Sequence, residues 1–284
     1  MSVAAEAEAL PGLALAPIGR RLVRFLTQPI PGFLPLATAD PEAFRRTLRR
    51  GDVVLVEGNT RIATAIKYLT QSTWSHAALY VGPIPGRGES DGEPHALIEA
   101  DAEHGVVSVP VSKYAASHTR ICRPVGLSEG ETQKVADFAL ARIGLSYDLK
   151  NIADLLRYLL PTPPVPSRWR RRMIALGAGS PTRAICSTLI AQAFQSVHYP
   201  ILPSPESIEH AMRVLSSAQS GDAARYRLDE IRHIRHYSLF TPRDFDISPY
   251  FAIVKPTIEI GFDYKKVDWA RLDADPPALN PPSP

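Results

Sequence analysis

The chain has 284 residues, with 32 basic and 29 acidic side chains, a formal net charge of +3 and 45% hydrophobic residues. That apolar share supports a sizeable core and excludes wholesale disorder, and so small a net charge argues against bulk binding of nucleic acid. The two cysteines, Cys122 and Cys186, are too few for a disulfide scaffold or a four-cysteine zinc site.

No stretch is long and apolar enough to predict a transmembrane helix. Glu6 and Glu8 stand where a signal peptide is basic, and Pro11 interrupts the apolar stretch that follows, so a cytoplasmic location is expected. Residues 1–39 form an N-terminal arm. From Leu13 to Leu36 it mixes apolar residues with Arg20, Arg21 and Arg24. Such an arm either contacts a membrane surface peripherally or packs on the domain, and packing is the preferred reading.

Asp40-Pro41-Glu42 predicts a helix start, with Gly51 as its stop. Val53–Val56 reads as a strand, and Ile62, Ala65, Ile66 and Leu69 recur at helical spacing. Trp74–Val81 reads as a strand and 82–92 as a Pro/Gly loop, with further strands at 96–100, 106–111 and 120–125. Ser128 and Glu131 make a capping box for a helix running to Gly144. A helix from about Asp148 ends at Pro161, a stiff segment follows to Pro166, another helix starts near Pro181, and Ser204-Pro205 opens a short one. A last strand lies at 250–255, and the tail 261–284 is proline-rich. These elements predict an α+β domain over residues 40–260.

Three residues stand out chemically. Cys186 falls in the first turn of a helix, where unpaired N–H groups and the helix dipole favour thiolate. His76, in Trp74-Ser-His-Ala-Ala-Leu-Tyr-Val-Gly82, is a polar ring in a small apolar strand and needs a partner. Period-two alternation places Trp74, His76, Ala78 and Tyr80 on one side of it. Glu99, in Ala96-Leu-Ile-Glu-Ala100, is costly to bury unless paired, and can meet His76 if their strands are neighbours. Asp101 is the rival for that role. Each residue also has a bland reading: an inert buried cysteine, a satisfied core histidine, an acidic solvated face.

Gly51-Asp-Val-Val-Leu55, the Ser75–Gly82 strand, Leu97-Ile-Glu-Ala100 and Ile185-Cys-Ser-Thr-Leu-Ile190 together resemble the circularly permuted branch of the NlpC superfamily of papain-like cysteine hydrolases, within it the YiiX/YebB-like group. Thr241-Pro-Arg-Asp-Phe-Asp-Ile-Ser-Pro-Tyr-Phe251 is similar to the end of that group's domain. The histidine precedes the cysteine, the order of the permuted branch.

The resemblance implies a papain-like fold, with a small antiparallel sheet or half-barrel packed on helices. It implies Cys186 as nucleophile, His76 as acid–base and Glu99 as the residue orienting His76. The implied activity is cysteine hydrolysis of an amide or ester carbonyl without cofactor or metal. Cell-wall-type peptides are one substrate class; lipid acyl groups, as for relatives of the lecithin:retinol acyltransferase type, are the alternative. A non-catalytic module binding peptide or lipid is a further reading. Trp74 and Tyr147 are candidate substrate contacts, and Arg168-Trp-Arg-Arg-Arg172 a candidate lipid-surface contact. Cys122 is expected in the core.

Overall fold

The run Val53-Val-Leu-Val56 is apolar at every position because both its sides are covered. In a computed structural model, which describes residues 24–33, 36–37, 39–88, 92–101, 104–145, 186–203 and 240–266, all four side chains are buried. Val53 and Leu55 face one core cluster, and Val54 and Val56 another on the opposite side. This strand, β1, is central in a six-stranded sheet.

The strands are β1 (Val53–Val56), β2 (His76–Tyr80), β3 (His95–Asp101), β4 (Gly105–Pro110), β5 (Thr119–Pro124) and β6 (Phe251–Val254). Their order is β4-β3-β2-β1-β5-β6, antiparallel throughout and not closed into a barrel. Helices accompany the sheet: α1 (Pro41–Thr47), α2 (Arg61–Thr70), α3 (Glu129–Leu140), α4 (Cys186–Gln195), α5 (Pro242–Asp246) and α6 (Pro256–Glu259), with a 3-10 turn at Val111–Tyr114. The architecture is α+β and matches the expected sheet on helices. Among the described residues no helix is long and apolar enough to cross a membrane.

One core cluster joins β1 to α3 and α4 through Val135, Ala136, Leu189, Ile190 and Phe194; the other lies under α1 and the 3-10 turn, with Phe44, Leu97, Val111 and Tyr114. The capping box at α3 forms as expected, with Glu131 accepting from the Ser128 N–H at 2.9 Å. Ordered helix ends at Leu140, and the chain turns through to Gly144.

Helix α1 ends at Thr47 rather than running to Gly51. Asp52 explains the early stop. Its buried carboxylate accepts the Arg49 N–H at 2.8 Å and a two-pronged guanidinium from Arg123 at 2.9 and 2.8 Å, and Arg123 also donates to the Thr47 carbonyl. Those bonds satisfy groups that another helical turn would have used. Gly51, at φ +90°, makes the turn into the sheet.

The arm between residues 24 and 33 packs on the domain. Pro29 bridges Thr60, Ile30 donates to the Asn59 carbonyl at 2.8 Å, and Leu26 is buried. Residues 13–23 and the tail from 267 lie outside the described residues, as do the helices expected near Asp148 and Ser204; the helix expected from near Pro181 is described from Cys186 onward as α4, with Leu189 and Phe194 in the core.

Four rings, Phe194, Tyr199, Phe245 and Phe251, hold the C-terminal segment to α4, with centroids 5.2 to 6.5 Å apart and several edge-on contacts. Phe245 is fully buried among them. Phe245→Ala is expected to cost about 3–5 kcal/mol, read as a lower midpoint in equilibrium urea unfolding.

Candidate active site

His76 opens β2, and Glu99 sits opposite Ala78 on β3, two residues along from the histidine. The carboxylate and the ring meet on that diagonal, with Nε2 of His76 3.1 Å from Oε2 of Glu99. Asp101 turns elsewhere: its carboxylate accepts the His104 N–H at 2.8 Å and contacts that ring at 3.0 Å.

Cys186, at the start of α4, brings its thiol into hydrogen-bonding contact with the His76 ring. With Nε2 committed to Glu99, Nδ1 is the nitrogen left for sulfur. The sulfur also accepts the backbone N–H groups of Ala77 and Ser187. Ser187 in turn donates to the Phe240 carbonyl at 2.7 Å, tying the helix start to the 240–251 segment. The structure therefore brings together all three residues singled out by the sequence, although Cys186 follows His76 by more than a hundred positions.

Glu99 is 1% exposed and has two partners that the sequence did not suggest. Lys113 gives its ammonium to Oε1, and Tyr114 gives its hydroxyl to Oε2. Both come from the 3-10 turn after β4. No periodic pattern marks that turn, and a lysine and a tyrosine after a strand read as loop.

Opposing effects set the charges. Burial would raise the Cys186 thiol, but the imidazolium and the hydrogen bonds to sulfur hold it below the ordinary thiol range. Burial would likewise lower His76, but the sulfur and then Glu99 lift it to about 10. Glu99 is drawn down to about 2 against its burial, by His76 first and then by Lys113. Tyr114 is pushed well above its ordinary value by burial and by the Glu99 charge, so it remains a donor. These shifts favour a thiolate–imidazolium pair backed by an ionised carboxylate.

A cleft of about 360 Å³ opens beside these groups. Val56, Ile62, Ala63 and Ile66 make an apolar wall, and Thr27 brings the N-terminal arm to its rim. Gly58 lines it too; a Cβ there would come within 2.7 Å of Ala63 Cβ and 2.8 Å of Ser75 Oγ.

Trp74 does not line this cleft. It lies before β2, so strand alternation does not govern it; it is 3% exposed in the core and donates Nε1–H to Asp246 at 3.0 Å. Cys122 is buried in β5 as expected, and burial pushes its thiol up. Both cysteines are free. Tyr147 and Arg168–Arg172 lie outside the described residues.

A family model described as permuted papain-like amidase enzyme, YaeF/YiiX, C92 family, matches residues 47–158. This bears out the resemblance drawn from the motifs. The matched stretch holds His76, Glu99, Lys113 and Tyr114, is under half of the chain, and stops before Cys186. That family consists of papain-like amidases and peptidases, and the chain shares its enzyme class, with cysteine hydrolysis as the chemistry. Among solved structures, the crystal structure of the metalloprotein YiiX from Escherichia coli O157:H7 aligns at a TM-score of 0.40 and 19% identity, over 73% of this chain and 96% of that one. No curated protein matches.

Iodoacetamide at about pH 6 should label Cys186 and leave Cys122 untouched, because the alkylation rate follows the thiolate fraction. As pH rises, labelling of Cys186 should appear well below the ordinary thiol range of about 8.5. His76→Ala removes the cation, so its labelling curve should move up toward that range, as read by peptide mass mapping.

Proposed function

We propose that the protein is a thiol amidase in which Cys186, His76 and Glu99 act as a catalytic triad on small peptides of the cell-wall type. One observation carries the reading: the hydrogen bond between Cys186 and His76, with the thiol lowered and the imidazole raised by each other. A charge pair of that kind is an activated nucleophile with its proton already on the acid.

The thiolate attacks the carbonyl carbon of the amide. The N–H groups of Ala77 and Ser187, which donate to the sulfur, are the donors available to an oxyanion formed beside it. His76 passes its proton to the leaving amine as the C–N bond breaks, leaving a thioester on Cys186. Water then adds to the thioester carbon and gives its proton to His76, and the C–S bond breaks to release the acid. Glu99 keeps the ring aligned and stabilises its cation through Nε2.

The apolar wall of Val56, Ile62, Ala63 and Ile66 favours a second reading, hydrolysis or transfer of a lipid acyl group. Peripheral membrane contact through residues 13–36 and Arg168–Arg172 would belong to it.

Wild type and Cys186→Ala compared on γ-glutamyl peptides and on short-chain acyl lipids decide between the two. Peptide turnover is expected, with a loss of at least about 10⁴-fold in the alanine variant and an acyl adduct on Cys186 in quenched wild type. Turnover of acyl lipids alone replaces the amidase reading with the second one. Peptide turnover that survives Cys186→Ala overturns the triad.

A further inference from the structure

The steps above leave one charged group of the site unused. Lys113 seats its ammonium on Oε1 of Glu99, while His76 and Tyr114 share Oε2. Its side chain is 41% exposed and borders the cleft. The described titratable groups facing that cleft are His76 on β2, Glu99 and Asp101 on β3, Lys113 and Tyr114 on the 3-10 turn, and Cys186 on α4. Tyr114 stays neutral, and Asp101 is turned to His104. Beside the Asp101 carboxylate, four charges stand in an alternating row: thiolate, imidazolium, carboxylate, ammonium.

We propose that Lys113 is a positioning residue for the hydrolytic half of the reaction: balancing Glu99 from the oxygen that His76 does not use, it lets the imidazole accept a proton from water once the thiolate is gone. The inference rests on the triad reading. In the free enzyme, a nearby cation favours the thiolate while it disfavours the imidazolium, so its two effects partly cancel and Lys113 changes the formation of that pair less than it changes His76 alone. Acylation turns the thiolate into a neutral thioester. Glu99 alone would then keep the ring protonated, and a protonated ring cannot take the proton of water. Lys113 opposes this by repelling the imidazolium.

Balanced, the step is simple. The water oxygen bonds to the thioester carbon, the water proton goes to His76, the C–S bond breaks with its electron pair on sulfur, and a carboxylic acid leaves. The thiolate–imidazolium pair is restored.

The test uses the full chain and p-nitrophenyl acetate, with the burst of nitrophenol reporting acylation and the steady rate reporting deacylation. In Lys113→Met the burst rate should stay within about twofold, since that step depends on the balanced pair. The acid limb of the steady rate should move up by about one pH unit, making turnover at about pH 6 fall by about tenfold. Lys113→Gln should match the Met variant, and Lys113→Arg should restore the limb. An unmoved limb in the Met and Gln variants overturns the inference, whether or not burst and steady rates fall together. A wild-type burst that survives Cys186→Ala, or no burst at all, takes down the triad reading and this inference together, and is recognisable because it needs no Lys113 variant.

Discussion

A carboxylate with almost no access to water must be neutralised where it stands, and the active-site half of this sheet is arranged around that requirement at Glu99. Its oxygens receive a ring nitrogen from β2, an ammonium and a phenol from the 3-10 turn, and the first two draw its pKa down despite burial. With three partners, the loss of one leaves the desolvation cost of this buried charge only partly offset. The antiparallel pairing of β2 with β3 supplies the first partner, and the return of the chain after β4 supplies the other two. The same bonds leave His76 with one nitrogen free to face sulfur, so a solution to a stability problem also orients the ring.

The cysteine reaches this frame by a separate route. Helix α4 packs on the face of the sheet opposite Tyr114, through Leu189, Ile190 and Phe194, and its first residue meets His76 at the start of β2. Ser187 and the ring cluster around Phe245 join that helix to the segment running into β6. Sulfur therefore comes from the helix layer, and imidazole and carboxylate from the sheet. Their agreement at one point reports how well the two core clusters are packed.

Much of this was legible from local pattern. Short apolar runs marked β1 to β5, and Ser128 with Glu131 marked the start of α3, because each is a short-range rule with a strong physical cause. The triad candidates were legible for the same reason: a histidine and a carboxylate in buried strands each demand a partner. Three things were not legible. The early end of α1 depends on Arg123, which arrives from β5. The burial of Trp74 depends on Asp246, far along the chain. Lys113 and Tyr114 lie on a turn whose path over the sheet no local rule describes. In each case a long-range polar contact decided what local pattern left open.

The order of the triad along the chain has a consequence for synthesis. Residues 53 to 124 already contain five paired strands, the histidine proposed as acid–base, its carboxylate and the lysine. That half of the site can assemble as the polypeptide leaves the ribosome, since early segments fold first. The sulfur emerges more than sixty residues later and stays an ordinary thiol until α4 docks beside His76. On the triad reading, a nascent chain thus carries no activated nucleophile, and acquires one only when α4 docks.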